Sequence, residues 1–136
     1  MEATGRQLRL QRDDAAPARA RRWIEKLTSS LPPPVANDVR LLTHELVTNA
    51  VKYSQGDDIW LAALVLPDAI RIEVCNEDGL SQPVVLPHES YASSGRGLLW
   101  VNELADAWGT DQHRRVTSVW FQIDLHARPE PMDITI

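Results

Sequence analysis

Residues 43 to 54 of the chain read Thr43-His44-Glu45-Leu46-Val47-Thr48-Asn49-Ala50-Val51-Lys52-Tyr53-Ser54. Apolar residues in and just before this stretch recur every three or four positions, as on one face of an α-helix; they are Val39, Leu42, Leu46, Ala50 and Tyr53. Glu45 and Asn49 are four positions apart, so they project from neighbouring turns along the edge of that face. A carboxylate and a carboxamide at this spacing can place a Mg²⁺ ion and a hydroxyl beside a phosphate. The alternative is a partly exposed Glu beside an Asn that the helix merely tolerates.

Length and composition indicate one soluble domain. The chain has 136 residues, of which 43% are apolar and 24% are charged, so we expect residues 1–136 to share a single core. The net charge of −5 argues against duplex nucleic acid or an anionic membrane as the main partner. The single cysteine, Cys75, excludes an internal disulfide, and no segment is apolar enough for a signal peptide or a bilayer span. A cytoplasmic location is therefore expected.

Helices and strands are predicted in separate runs. The predicted elements are, in order, a short or edge strand at 7–12, helices at 18–27 and 35–53, a hairpin over 59–74, a loop at 80–94, a short helix at 98–105, and a second hairpin over 107–125 that turns at 111–115. This order predicts an α+β fold, in which helices cover one face of a mostly antiparallel sheet. The loop at 80–94 is long enough to suggest a functional lid, and residues 127–136 are interpreted as a tail.

Two motifs in this order resemble those of the GHKL ATPases, the family that includes histidine kinases and DNA gyrase. The segment from Glu45 to Tyr53 resembles the N-box of that family. The segment Ser94-Gly95-Arg96-Gly97-Leu98, which follows the long loop, resembles its second glycine box. The resemblance covers about residues 9–125 and implies a Bergerat-type fold, an α/β two-layer sandwich. Within the family, the chain is most similar to the small single-domain serine-kinase anti-sigma factors of Gram-positive bacteria.

The N-box resemblance implies that the chain binds ATP and Mg²⁺. It makes Glu45 the general base that orients an attacking hydroxyl, and it makes Asn49 the ligand of the Mg²⁺ ion. Lys52 either reaches a phosphate or is a surface lysine, and the second interpretation is favoured.

The glycine-box resemblance implies a phosphate cradle made by residues 95–98. Gly95 and Gly97 would bring backbone N–H groups close to the phosphates just before a helix, whose N-terminus favours anions. Arg96 either adds a cationic contact or is solvated, and Leu98 completes the motif.

The chain departs from the family pattern in two places. The first glycine box of the family begins with an aspartate that accepts a hydrogen bond from the adenine amino group, and Asn76 stands at the aligned position. An Asn oxygen also accepts this bond, but without the charge assistance of a carboxylate. Asp78 would substitute only if the turn shifted its register, and Gly79 is the one glycine of this box that remains. Where the family often has Gly-Lys-Thr before the last strand, the chain has Arg115-Val116-Thr117-Ser118.

The resemblance implies a regulator that transfers the γ-phosphoryl group of ATP to a serine or threonine of a small antagonist protein. Such a protein would be a homodimer and would hold a sigma factor when the antagonist is phosphorylated. The alternative is a non-catalytic protein-binding module in which the fold is retained and nucleotide binding is weak or lost. Intact Glu45 and Asn49 favour the kinase, whereas the departures at Asn76 and Val116 favour the module.

Overall fold

The computed structural model describes residues 4–77 and 97–125. In chain order, the elements are β1 (Thr4–Gln11), α1 (Ala16–Leu27), α2 (Pro33–Tyr53), β2 (Asp58–Val65), β3 (Ala69–Glu77), α3 (Gly97–Leu104), β4 (Ala107–His113) and β5 (Val116–Asp124). The strands form one antiparallel sheet in the order β1-β2-β3-β5-β4. The predicted α+β two-layer sandwich of the Bergerat type is confirmed. The predicted lid at 80–94 and the tail at 127–136 lie outside the described residues.

The core lies between the sheet and the helices. Along β3, Ile70, Ile72 and Val74 are buried, while the alternate residues lie on the opposite face of the sheet. Neighbouring strands continue the buried face in register, so that Ile72 pairs with Phe121 and Ile70 pairs with Ile123. This alternation is the reason that one face of the sheet is apolar enough to hold a layer of helices.

Helix α2 is the central element of the helical layer, and it packs against α1, α3 and β3. It begins at Pro33, where the missing N–H of proline costs no hydrogen bond. Four of the five residues of the predicted apolar stripe are buried; they are Val39, Leu42, Leu46 and Ala50. Tyr53, which was expected in this stripe, is 39% exposed. The prediction is wrong there because the core ends near Ala50 and the chain turns away at Ser54.

Thr28 joins the two long helices. Its side chain is fully buried at the end of α1, and its hydroxyl donates to the Ile24 carbonyl over 2.7 Å. The same oxygen accepts a hydrogen bond from Arg40 Nε of α2 over 3.2 Å. One buried hydroxyl therefore closes the last turn of α1 and ties it to α2.

The second hairpin is longer and tighter than predicted. The polar segment 111–115 was expected to be the turn, but β4 continues to His113, and only Arg114 and Arg115 form the turn. Arg114 has a positive φ of 58°. Polar residues are accommodated in β4 because it is an edge strand with solvent on one side.

The face of the sheet away from the helices carries aromatic and polar residues. Arg71 stacks on the ring of Trp120, with 3.9 Å from its Cζ atom to the ring centroid. Gly109 lies under the same ring, where a Cβ atom would come within 2.9 Å of the indole nitrogen.

None of the described helices has the length and apolar character that crossing a membrane requires.

Candidate functional site

A polar strip runs along one side of α2. Glu45, Thr48, Asn49 and Lys52 follow one another at helical spacing and therefore share a face. Asn49 is only 6% exposed, Glu45 and Thr48 are half-buried, and Lys52 is exposed. The strip thus begins at the boundary of the core and ends in solvent, as a site for a charged ligand requires.

Thr48 is a member of this strip that the sequence analysis did not select. Its Oγ1 atom is buried and has no hydrogen-bond partner among the described residues. Leaving a polar atom unsatisfied in this way costs about 1–3 kcal/mol, so such an atom marks a place where a ligand or water supplies the partner. Its spacing of three positions from Glu45 was a signal that sequence analysis could have used.

Asn76 lies near the end of β3, on the side of the sheet that faces the helices. It follows Ile72 and Val74 in the alternation of that strand, and Thr117 of β5 is opposite it. Its Oδ1 atom is buried, and no described residue donates a hydrogen bond to it. A buried acceptor without a donor fits an amino group of a ligand, which is the role that the resemblance implies for this position.

The end of β3 is joined to the end of α2 through one carbonyl group. The Glu77 carbonyl oxygen accepts hydrogen bonds from Ser54 Oγ at 2.9 Å, from the Gln55 amide at 3.0 Å and from the Gly56 amide at 3.1 Å. Ser54 is 5% exposed. The end of α2 and the end of β3, which carries Asn76, are thus connected directly, and no local sequence pattern indicates that these segments meet.

The second glycine box is described only in part. Gly97 and Leu98 are the first two residues of α3, and α3 packs against α2, so the structure brings this helix to the element that carries the N-box. Asp78, Gly79, Gly95 and Arg96 lie outside the described residues. Val116 points away from the helices, opposite in direction to Thr117, and is 38% exposed.

The described residues do not form a metal site by themselves. Within 4–77 and 97–125, no group of three or more His, Cys, Asp or Glu side chains is placed to hold an ion. Asn49 has one amide oxygen, a donor that would suit Mg²⁺ if phosphate oxygens and water supplied the other ligands. The donor set therefore fits Mg²⁺ that arrives with a nucleotide.

Cys75 lies on the other face of the sheet and is not part of this site. Burial, together with the nearby Glu73 carboxylate, raises the pKa of its thiol from 9.0 to about 12. The thiol donates to Glu73 Oε1 over 3.4 Å. A neutral thiol in this setting is a poor nucleophile.

The domain has helices on one face of an antiparallel sheet, and the polar strip of α2 lies at the boundary of its core. Residues 10–123 match the family of histidine kinase-like ATPase domains. The chain therefore belongs to this family, the GHKL-type ATPases, whose members bind ATP. Comparison with curated proteins finds no sequence that matches the chain.

Proposed function

We propose that the protein is an ATP-dependent regulator that phosphorylates a serine or threonine of a small antagonist protein. The observation that carries the proposal is the polar strip of α2, with Glu45 and Asn49 at the boundary of the core. The buried Oδ1 atom of Asn76 supports adenine as the base. Membership of the histidine kinase-like ATPase family supports ATP as the nucleotide.

In this proposal, the residues of the strip and Asn76 have different roles. Asn49 would hold a Mg²⁺ ion, which would offset the charge of the phosphates. Glu45 would accept the proton of the attacking hydroxyl while the hydroxyl oxygen bonds to the γ-phosphorus. The bond from that phosphorus to the β–γ bridging oxygen breaks, and ADP leaves. Asn76 would accept a hydrogen bond from the adenine amino group and so fix the base end of the nucleotide.

The proposed partners follow from the resemblance to anti-sigma kinases. The phosphate acceptor would be the antagonist, and a sigma factor would be held when the antagonist is phosphorylated. The protein would act in the cytoplasm as a homodimer. The net charge of −5 supports a protein partner over nucleic acid.

The first prediction separates nucleotide binding from chemistry. Glu45→Ala should keep the affinity for Mg-ATP within a few-fold but lower phosphoryl transfer by about 100-fold to 10,000-fold, which is the usual contribution of a general base. Asn49→Ala should weaken Mg-ATP binding and transfer together, because it removes the Mg²⁺ ligand. Calorimetry with Mg-ATP and transfer of labelled phosphate to the co-purified antagonist measure the two effects.

The control for this prediction is Glu25→Ala. Glu25 is an exposed carboxylate on α1 that lies 3.9 Å from Arg21, so its loss should change neither binding nor transfer. A Glu45→Ala protein that transfers phosphate at the wild-type rate would remove Glu45 from the role of base.

The second candidate function is a non-catalytic protein-binding module. Two observations favour it: Asn76 replaces a carboxylate, and Val116 points away from the face on which Asn76 lies. In this case, the wild-type protein would capture its partner but show no heat of binding with Mg-ATP or Mg-ADP. Glu45→Ala and Asn49→Ala would then leave partner capture unchanged.

A further inference from the structure

We infer that the turn formed by residues 54–57, named here the clamp turn, sets the preference of the site for adenine. Its proposed role is to hold Asn76 at a fixed position relative to the polar strip of α2. The inference rests on the proposed nucleotide binding, and it assigns Ser54 and Gly56 as positioning residues that do not touch the nucleotide.

The first observation is the convergence of three donors on one oxygen. The hydroxyl of Ser54 and the amides of Gln55 and Gly56 all point to the Glu77 carbonyl, at distances of 2.9 to 3.1 Å. A carbonyl oxygen has two lone pairs, so three donors restrict its position more than an ordinary strand bond does. Glu77 is the covalent neighbour of Asn76, and fixing its carbonyl limits movement of Asn76 along and out of the sheet.

The second observation is that the clamp turn is also attached to α2. The Ser54 amide donates to the Ala50 carbonyl over 2.9 Å, which continues the hydrogen bonding of the helix. Ala50 is the covalent neighbour of Asn49. Ser54 therefore makes one hydrogen bond to the residue beside Asn49 and one to the residue beside Asn76. Asn49 lies at the predicted phosphate end of the site, and Asn76 lies at the predicted base end.

The third observation is that Arg12 fixes the clamp turn from its other side. Its Nε atom donates to the Gly56 carbonyl at 2.5 Å, and its Nη1 atom donates to the Val51 carbonyl at 3.2 Å. Its backbone amide donates to the Asp57 carbonyl at 2.7 Å. A guanidinium at the carboxyl end of a helix also interacts favourably with the helix dipole. The clamp turn is thus held between Arg12, which directly follows β1, and the end of β3.

The fourth observation is a close approach that selects glycine. A Cβ atom on Gly56 would lie 2.8 Å from Glu77 Cβ and 3.2 Å from Glu77 Oε2. Since Cβ atoms do not approach so closely, any larger residue at position 56 would push Glu77 away. The sequence places glycine at the point where the clamp turn and β3 touch.

The expected consequence is a change in base preference. The Asn76 oxygen accepts a hydrogen bond, and adenine offers an amino group where guanine has a carbonyl oxygen. The discrimination between the two bases depends on how firmly that oxygen is held, because a movable oxygen can turn away from the guanine carbonyl. Loosening the clamp turn should therefore weaken the binding of ATP more than the binding of GTP.

The test compares two clamp variants with matched controls. Ser54→Ala removes one donor to the Glu77 carbonyl, and Gly56→Ala forces the close contact apart. Ser29→Ala removes a hydroxyl that donates to the Lys26 carbonyl at an exposed helix end, and Gly5→Ala adds a methyl group where no atom lies within 4 Å. The dissociation constants of Mg-ATP and Mg-GTP and the melting temperature are measured for the wild type and all variants.

Both clamp variants should bind Mg-ATP about fivefold more weakly, which corresponds to the loss of one typical hydrogen bond. Their affinity for Mg-GTP should change by less than about twofold. The dissociation constant of Mg-GTP divided by that of Mg-ATP should therefore fall. Ser54→Thr keeps the hydroxyl and should restore the wild-type ratio. The two controls should leave the ratio unchanged.

Several outcomes would overturn the inference. Clamp variants that melt at a lower temperature but keep the wild-type ratio would show that the clamp turn serves stability alone. A wild type that binds Mg-ATP and Mg-GTP equally well would remove Asn76 as the base contact. A wild type that binds neither nucleotide would end the proposed function and this inference together. If Gly56→Ala does not fold, the pair Ser54→Ala and Ser54→Thr still decides the question.

Discussion

Asn76 carries a buried amide oxygen that the described part of the chain leaves without a donor. Such an oxygen lowers the stability of the ligand-free protein by about 1–3 kcal/mol. In the proposed function, the adenine amino group donates the hydrogen bond that this oxygen lacks.

A carboxylate at position 76 should bind ATP more tightly. Charge-assisted hydrogen bonds are about twice as strong as neutral ones, so Asn76→Asp should strengthen the binding of Mg-ATP by about 1 kcal/mol, or about fivefold. Calorimetric titration of both proteins measures the difference. Unchanged affinity, with a wild type that binds ATP well, would mean that Asn76 is not the base contact.

Sequence analysis could identify only those site residues whose signal is local. Glu45 and Asn49 were accessible because a helix of known period fixes their relation. Thr48 was overlooked because a threonine in a helix usually needs no explanation, although its spacing from Glu45 places it on the same face. Its buried hydroxyl, which has no hydrogen-bond partner among the described residues, is visible only in the structure. The bonds from Ser54 to Glu77 were not predictable, because they join segments that only the tertiary fold brings together.

At the scale of elements, the joint between α1 and α2 depends on Thr28. Because its hydroxyl both donates to Ile24 and accepts from Arg40, replacing it leaves a part-buried guanidinium nitrogen without this partner. Thr28→Val keeps the shape of the side chain and should lower the free energy of unfolding by about 1–3 kcal/mol. Chemical denaturation measures the change.

Ser29→Ala serves as the comparison for Thr28→Val. Ser29 is the next residue, and its hydroxyl also donates to a backbone carbonyl, but it is exposed. Its replacement should change the free energy of unfolding by less than about 0.5 kcal/mol. Equal effects of the two substitutions would show that the hydrogen bond from Arg40 to Thr28 does not contribute to the free energy of unfolding.

Most elements were predictable, since the long helices and the central strands have a clear apolar period. The helix expected at 35–53 is α2 (Pro33–Tyr53), and the strand expected at 7–12 is β1 (Thr4–Gln11), at the edge of the sheet. The prediction of a turn at 111–115 was wrong because polar residues are typical of turns but are also accommodated on an edge strand. Pairing with β5, a tertiary contact, decided between these structures.

At the scale of the whole molecule, the binding of nucleotide should stabilise the fold. A ligand that binds only the folded state at about 100 times its dissociation constant adds about 2.7 kcal/mol. For a chain of 136 residues, each kcal/mol raises the melting temperature by about 3–4 °C. Saturating Mg-ATP should therefore raise the melting temperature by about 10 °C, as differential scanning fluorimetry can measure.

The control for this measurement is Asn49→Ala, in which Mg-ATP should raise the melting temperature by much less. Mg²⁺ without nucleotide should have little effect on either protein, because Asn49 alone is a weak ligand. An equal rise in both proteins would mean that ATP does not bind through the polar strip.

The strand order β1-β2-β3-β5-β4 also has a consequence for the order of folding. The pairs β2–β3 and β4–β5 are hairpins that close over short turns, whereas β3 and β5 pair across a long stretch of chain. Long-range pairs form late because the entropy of chain closure is lost before any contact is gained. Asn76 pairs with Thr117 across this late joint, so the base end of the site is assembled after both hairpins exist. A chain emerging from the ribosome can therefore place Thr117 opposite Asn76 only when β5 has been added.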